Sequence, residues 1–204
     1  YEITERLVGL EMCIRDRYKL INSYLSSDQI GIASLSNGVA GDNVYKNSVG
    51  DDITDATKGK WAKIGGLETT FTIKNGRNRL TYQFQTGVEM KAPTSTISDN
   101  VRFACGVFRN GKLVAVRPDR VASNNNSEKG GLQDYIFTLN YTELNVPVGV
   151  QKLEIACRKI TTSNSGSQFA IGRDVASSNG ASNAFTLEST MKIDVIEYVT
   201  YKSN

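Results

Sequence analysis

Residues Val101–Val116 read VRFACGVFRNGKLVAV, two largely apolar runs on either side of Asn110-Gly111. Asn and Gly tolerate the positive φ values that both central residues of a type I′ turn require, and this turn suits the twist of paired strands. The stretch therefore predicts a β-hairpin whose strands are Val101–Arg109 and Lys112–Val116. A hairpin in the middle of the chain favours an antiparallel all-β fold.

The segments that surround this hairpin carry the same signal. Leu80–Lys91 and Phe185–Val195 alternate apolar with polar residues at period two, whereas a helix would repeat its apolar residues at spacings of three and four. Further strands are predicted at Leu67–Lys74, Tyr135–Thr142, Gly149–Ile160 and Gln168–Arg173. Roughly eight short strands predict an antiparallel β-sandwich, similar to a jelly roll, over residues 61–204.

Residues 18–60 have a different composition, because Gly, Ser, Asn and Asp interrupt every apolar run. We interpret this region as an irregular N-terminal arm or tether that joins the sandwich to something larger. The alternative is an additional edge strand with long loops.

Residues 7–17 read LVGLEMCIRDR, which resembles the translation of a transposase adapter used to prepare sequencing libraries. Only Leu10 departs from the adapter, which gives serine at that position. The resemblance implies that residues 1–17 are an artefact and that the interpretable sequence begins at Tyr18. It also implies that the sequence comes from an assembled environmental read.

Composition excludes several classes of function. The chain contains no histidine, which excludes a Ser-His-Asp triad, a Cys-His pair and imidazole metal ligation. The formal net charge is +3 without a basic block, so nucleic acid is not a predicted partner. No apolar run approaches the roughly 20 residues that span a bilayer, so membrane insertion is not predicted. We therefore predict no catalytic residue, cofactor or metal, and a protein that is not an enzyme.

The cysteines allow two interpretations. Cys13 falls in the adapter-like stretch, which leaves Cys105 and Cys157 inside alternating apolar runs. Two free, buried cysteines that pack as small hydrophobic residues are the favoured interpretation. The alternative is a disulfide between neighbouring strands. Their spacing has no zinc-site pattern.

Two further features have a structural and a functional interpretation. Asp51, Asp52 and Asp55 offer the hard oxygen ligands that calcium prefers, but a solvated acidic turn is favoured because the calcium-loop pattern is incomplete. Trp61, the only tryptophan, could stack on a sugar ring, but closing the end of the core is the favoured role.

Three loops rich in Ser, Asn and Gly are predicted to be exposed and to contact a ligand: Ala122–Gly131, Thr161–Ser167 and Ala176–Asn183. The candidate contact residues are small and polar: Asn124, Asn125, Asn126, Ser163, Asn164, Ser165, Ser178 and Asn179.

The end of the last strand carries bulky residues on both faces, among them Ile196, Tyr198 and Tyr201. Such a strand is buried on both sides, either by another sheet or by a neighbouring protomer. We take these three residues as a candidate oligomer interface, where a ring with a polar tip is useful.

Three segments together resemble the C-terminal β-sandwich domains of phage fibre and head-decoration proteins, which are similar in plan to the trimeric jelly rolls of the tumour necrosis factor and C1q group. Val101–Val116 resembles their inner-sheet hairpin, Val146–Lys159 a turn followed by a strand, and Leu187–Tyr198 their closing strand. The resemblance covers residues 61–198 and transfers no functional residue. It implies a homotrimer located on a virion or outside the cell.

The first hypothesis is therefore a non-enzymatic virion appendage protein whose partners are other virion proteins and a host-surface glycan or outer-membrane protein. The alternative is a carbohydrate-binding or adhesion module of a secreted bacterial protein, which predicts a monomer with an exposed aromatic platform. An enzyme on the same scaffold would need carboxylates clustered in a cleft.

Overall fold

The computed structural model describes residues 17–28, 31–32, 35, 49–54, 61–92, 98–124, 132–162, 167–175 and 188–200, and every regular element in these ranges is a β-strand. The nine strands are β1 (Arg17–Asp28), β2 (Ala62–Ile73), β3 (Asn78–Lys91), β4 (Ser98–Arg109), β5 (Lys112–Asn124), β6 (Leu132–Leu144), β7 (Gly149–Thr162), β8 (Gln168–Ile171) and β9 (Ser189–Val199). The predicted all-β class is confirmed, and each predicted strand corresponds to one of β2 to β9.

The strands form two antiparallel sheets that pack face to face. One sheet has the order β1-β9-β3-β6, with β8 also paired to β3, and the other has the order β2-β7-β4-β5. Alternate residues of each strand enter the shared core, as the period-two pattern predicted: Leu80, Tyr82 and Phe84 of β3 are buried, whereas Gln83 and Gln85 are exposed.

The central hairpin is built as the sequence predicted. Asn110 has a φ of 52° and Gly111 a φ of 78°, so both central residues of the turn lie in the left-handed region. The Asn75-Gly76 turn is built differently, because the Asn75 side chain accepts a hydrogen bond from the backbone amide of Arg77 at 2.9 Å. That side-chain contact closes a longer turn than the two-residue hairpin.

Strand β1 lies in the region that was interpreted as an arm or, alternatively, as an additional edge strand. It pairs with β9 from Arg17 to Asp28, and the Asp28 carboxylate accepts hydrogen bonds from the amides of Gly31 at 2.7 Å and Gly66 at 3.2 Å. Residues 17–28 therefore belong to the sandwich as an edge strand. Of the adapter-like stretch, residues 7–16 lie outside the described part of the chain.

The four-stranded sheet has a second, smaller core on its outer face. Its buried members are Ile53, Trp61, Ala104, Phe108, Leu113 and Ala156. The Trp61 and Phe108 rings meet edge to face with centroids 5.0 Å apart. Gly106 leaves space for the Leu113 side chain beside them, because a Cβ there would collide with Leu113. Trp61 is thus a buried core residue, but in this second core rather than at the end of the main one.

The favoured interpretation of the cysteines is wrong. Cys105 of β4 and Cys157 of β7 are register partners, and their sulfur atoms form a disulfide that is fully buried. The two residues were predicted correctly to be buried in apolar strands. Bonding follows because antiparallel pairing places them directly opposite each other, with their Cα atoms 4.1 Å apart.

Candidate functional site

Two of the three predicted contact loops leave the sandwich at the same end, which we call the loop end. Asn124, the last residue of β5, pairs with Ser98 at the start of β4. Thr162, the last residue of β7, pairs with Val101 on the same part of β4. The β5–β6 and β7–β8 connections therefore begin at the same end of the sheet, on either side of β4. The β8–β9 connection follows Ile171, which pairs with Val88 in the half of β3 nearer this end.

The described residues contain one of the predicted contact residues. Asn124 closes β5 at the loop end. The other seven, Asn125, Asn126, Ser163, Asn164, Ser165, Ser178 and Asn179, lie outside the described residues. For these seven residues the structure describes only the strands that precede and follow their loops.

The opposite end, which we call the turn end, holds a polar cluster that joins the two sheets. Arg109 of β4 forms an ion pair with Glu143 of β6 at 2.7 Å, and the Tyr82 hydroxyl donates to the same carboxylate at 2.8 Å. Arg109 also donates to Gln151 of β7 at 3.2 Å. Burial, followed by the negative charge of Glu143, raises the pKa of Tyr82 above its ordinary value. The cluster therefore fixes the turn end with mutually satisfied groups.

The predicted interface residues lie near the turn end, on the outer face of the five-stranded sheet. Ile196 pairs with Leu20 of β1, and Tyr198 pairs with Tyr18. Tyr18 and Leu20 are 54% and 52% exposed, and Leu144 of β6 is 64% exposed. Tyr201 lies outside the described residues. Tyr18, Leu20, Ile196 and Tyr198, together with Leu144 on the far side of Arg79 of β3, form an outer apolar patch that Arg79 interrupts.

Neighbouring side chains already cover part of this outer apolar patch. The Tyr18 ring meets the Tyr198 ring edge-on, with centroids 5.7 Å apart. The Arg77 guanidinium lies 3.6 Å from the centre of the Tyr198 ring. Ile196 and Tyr198 are half-buried as a result, whereas Tyr18, Leu20 and Leu144 are the exposed members. The sequence analysis missed these three because they come from two other strands: Tyr18 and Leu20 meet Tyr198 and Ile196 only through sheet pairing, and Leu144 pairs with Arg79.

Several acidic groups are held in ion pairs or hydrogen bonds. Glu154 contacts Lys63 at 2.6 Å, and Asp194 contacts Lys192 at 2.9 Å. Within the described ranges, no three Asp, Glu or Cys side chains converge as metal ligands. The acids that the structure describes here act mainly as ion-pair and hydrogen-bond partners.

The acidic turn near residue 52 is held by its own backbone. Hydrogen bonds from the amide and hydroxyl of Thr54, then the ion pair with Lys112, lower the pKa of Asp52 to about 2. Asp51 is described as well, and Asp55 lies outside the described residues. The turn is therefore tied to the central hairpin through Lys112.

No helix in the described ranges has the length and apolar character needed to cross a bilayer.

No protein-family model matches this chain, and no curated protein matches it. Solved structures with similar folds include dimeric latent PorU from Porphyromonas gingivalis, at a TM-score of 0.37 and 9% identity over 90% of this chain. The VP2 subviral particle of infectious bursal disease virus has a TM-score of 0.30 and 13% identity over 87% of this chain. A chain of the Israeli acute paralysis virus particle heated to 63 degrees has a TM-score of 0.20 and 9% identity. The match covers 95% of this chain and 77% of the viral chain.

The chain spans 13% of the length of the PorU chain and 41% of the VP2 chain. At these TM-scores the similarities carry no inference about function. The resemblance to phage fibre domains and to the tumour necrosis factor and C1q group stays a prediction.

Proposed function

We propose that this protein is a non-enzymatic virion appendage protein, such as a fibre tip, a head fibre or a capsid decoration protein, that contacts a host surface. The supporting observation is the separation of two kinds of surface. Ser/Asn/Gly-rich connections begin at the loop end, whereas β1 enters the sheet at the turn end, where Tyr18 pairs with Tyr198. A rigid sandwich held at one end and presenting polar loops at the other suits attachment.

In this proposal three copies associate through the outer apolar patch, with Ile196 and Tyr198 at its centre and Tyr201 beyond them. Its largest part joins β1 and β9, and exposed apolar surface that several residues share marks interaction sites. Each copy then presents the same loops to a host glycan or outer-membrane protein. Linked weak contacts raise the effective concentration of every loop, so the assembly binds far more tightly than one copy.

The buried disulfide supports a location on the virion or outside the cell. Disulfides persist in oxidising compartments, whereas cytosolic thiols are kept reduced. Cys105 and Cys157 are fully buried in the main core, so their bond stabilises the fold and is remote from the proposed contact loops.

The direct test of attachment compares two triple variants of the labelled protein on a panel of bacterial cells and their outer-membrane extracts. The loop variant carries Asn124→Ala, Asn125→Ala and Asn126→Ala. The control carries Gln83→Ala, Asn140→Ala and Thr142→Ala, three exposed polar residues on the outer face of the five-stranded sheet. We expect at least a tenfold loss of binding for the loop variant alone, because only those side chains would touch the host surface.

Equal loss of binding in both triple variants would contradict contact through the loop end. Absence of binding by the unaltered protein to every member of the panel would count against host attachment and favour capsid decoration.

One observation favours the second candidate, a carbohydrate-binding or adhesion module of a secreted bacterial protein. Tyr18 is 54% exposed beside Tyr198, and an exposed ring suits a sugar face. This candidate predicts a monomer whose binding to a glycan array is abolished by Tyr18→Ala and retained in the loop variant. The first candidate predicts the opposite: binding is lost in the loop variant and retained in Tyr18→Ala.

A further inference from the structure

A buried carboxyl group on the outer side of the five-stranded sheet has no hydrogen-bond partner. Glu89 lies on β3, on the face that is solvent-exposed at Gln83 and Gln85, yet it is only 1% exposed. Strand β8 pairs with β3 from Val88 to Lys91, and the residues that follow β8 come back over the sheet. Burial of Glu89 therefore depends on β8 and the turn after it.

The turn after β8 is packed tightly against the sheet. The Gly172 amide donates to the Gly87 carbonyl at 2.7 Å. Gly172 has a φ of 69°, and a Cβ there would collide with Ser189. Ile171 exchanges backbone hydrogen bonds with Ile32, at 2.7 Å and 3.0 Å. The segment from β8 to Val175 is thus a strap held between β3 and residues 31–32, which we call the β8 strap.

The surroundings of Glu89 are acidic. Both of its carboxyl oxygens and Oδ1 of Asp174 are buried without a hydrogen-bond partner, and Asp134 of β6 is its direct cross-strand neighbour. The other charged residues within two positions of Glu89 or Asp174 along the chain are Lys91 on β3 and Arg173 in the turn, whereas Arg79 of β3 and Glu143 of β6 lie toward the turn end. Burial first, then the negative charges of Asp174 and Asp134, raise the pKa of Glu89 to about 7, against the opposing effect of the Val175 amide.

Glu89 is buried and Asp174 is half-buried, and a buried carboxylate beside a second one is stable only when a proton or a cation lies between them. No set of three acidic or cysteine ligands converges among the residues described, which favours the proton. A protonated Glu89 is a donor, and the free Asp174 oxygen is an acceptor within the same strap.

We infer that Glu89 and Asp174 share a proton that latches the β8 strap onto β3, so that loss of the proton to solvent loosens the strap. The strap leads directly into the predicted contact loop Ala176–Asn183. The latch therefore links the proton concentration to the strap, which is closed in acid and loosened in alkali. Its importance for attachment rests on the proposed function, but the latch itself does not.

The sign of the effect follows from the direction of the shift. The pKa of Glu89 is higher in the closed state, about 7, than in an open state with the ordinary glutamate value. The closed state therefore holds the proton more strongly. The stability that the proton gives to the closed state is lost as the pH rises through 7. Between pH 6 and pH 8.5 this linkage increases strap opening about tenfold.

Amide hydrogen exchange of Phe169, Ala170 and Ile171, corrected for the intrinsic effect of pH, measures this opening on the isolated full chain. We expect protection of these amides to fall about tenfold from pH 6 to pH 8.5 in the unaltered protein. Glu89→Gln cannot ionise, so it should keep the same protection at both pH values. Asp174→Asn removes a neighbouring charge, so the fall should move to lower pH.

The control variant is Glu68→Gln, because Glu68 lies on β2 of the other sheet and should leave the pH response unchanged. The inference is overturned if Glu89→Gln shows the same tenfold fall, or if the unaltered protein shows none. It is also overturned if calcium chloride at pH 8.5 restores the protection of the unaltered protein to its pH 6 value, because the pocket would then hold a cation. Neither result depends on host binding, so the proposed function is tested separately.

Discussion

The two sheets of the sandwich differ in how many of their faces are buried. The four-stranded sheet is covered on its inner face by the main core and on its outer face by Trp61, Phe108 and their neighbours. The five-stranded sheet has an exposed outer face that is polar at its centre and apolar near the turn end. This difference is the basis of the proposal that the four-stranded sheet is the scaffold and that the outer face of the five-stranded sheet contacts partners.

The largest expected effect concerns the disulfide of the scaffold sheet. Replacing both residues, as Cys105→Ala with Cys157→Ala, should lower the free energy of unfolding by about 4 kcal/mol, because the bond constrains a long segment of the unfolded chain. Urea denaturation measures the loss. The reductant dithiothreitol should not destabilise the double variant further, and an unchanged unfolding midpoint would show that the two strands need no covalent link.

The next effect compares matched positions on the two sheets. Phe108 and Gln83 both point outward from interior strands, but only Phe108 is buried. Phe108→Ala should cost about 3 to 4 kcal/mol through lost burial and a cavity, whereas Gln83→Ala should change the unfolding free energy by less than about 0.5 kcal/mol. Similar losses at both positions, measured by thermal and urea unfolding, would remove the distinction between the sheets.

A smaller effect is expected for the cluster that joins the two sheets. Glu143→Gln should cost about 2 kcal/mol, since Arg109 and the Tyr82 hydroxyl then face a neutral group. Arg109→Met with Glu143→Leu should recover most of this loss because no charge is left unpaired. The exposed pair of Lys112 and Asp52 is the control, and Asp52→Asn should change stability by less than about 1 kcal/mol in urea unfolding.

The sequence predicted correctly those features that depend on the residue pattern of a single strand or turn. The alternation of β3 and the Asn110-Gly111 turn fixed strand faces and hairpin register, because both depend on neighbouring residues alone. It missed β1, whose pattern shifts at the irregularity between Leu20 and Asn22 and whose Leu25 points to solvent. An edge strand with exposed apolar residues does not alternate cleanly.

The features that sequence reasoning missed need knowledge of which strands are neighbours. The disulfide depends on Cys105 standing opposite Cys157, 52 residues away in sequence. The outer apolar patch joins residues of three strands, and burial of Glu89 depends on the turn after β8. The alternation pattern predicts solvent exposure for a polar residue at an outward position, such as Glu89, unless the element that covers it is known.

The central claim is that the five-stranded sheet provides the contact between copies of this chain. Multi-angle light scattering of the purified full chain tests it directly, with Leu20→Lys combined with Tyr198→Lys as the variant and Gln83→Lys as the control. We predict a mass about three times the chain mass of 22.3 kDa, retained by the control and reduced to a single folded chain by the double variant. A single-chain mass for the unaltered protein, at concentrations up to the millimolar range, would contradict the account.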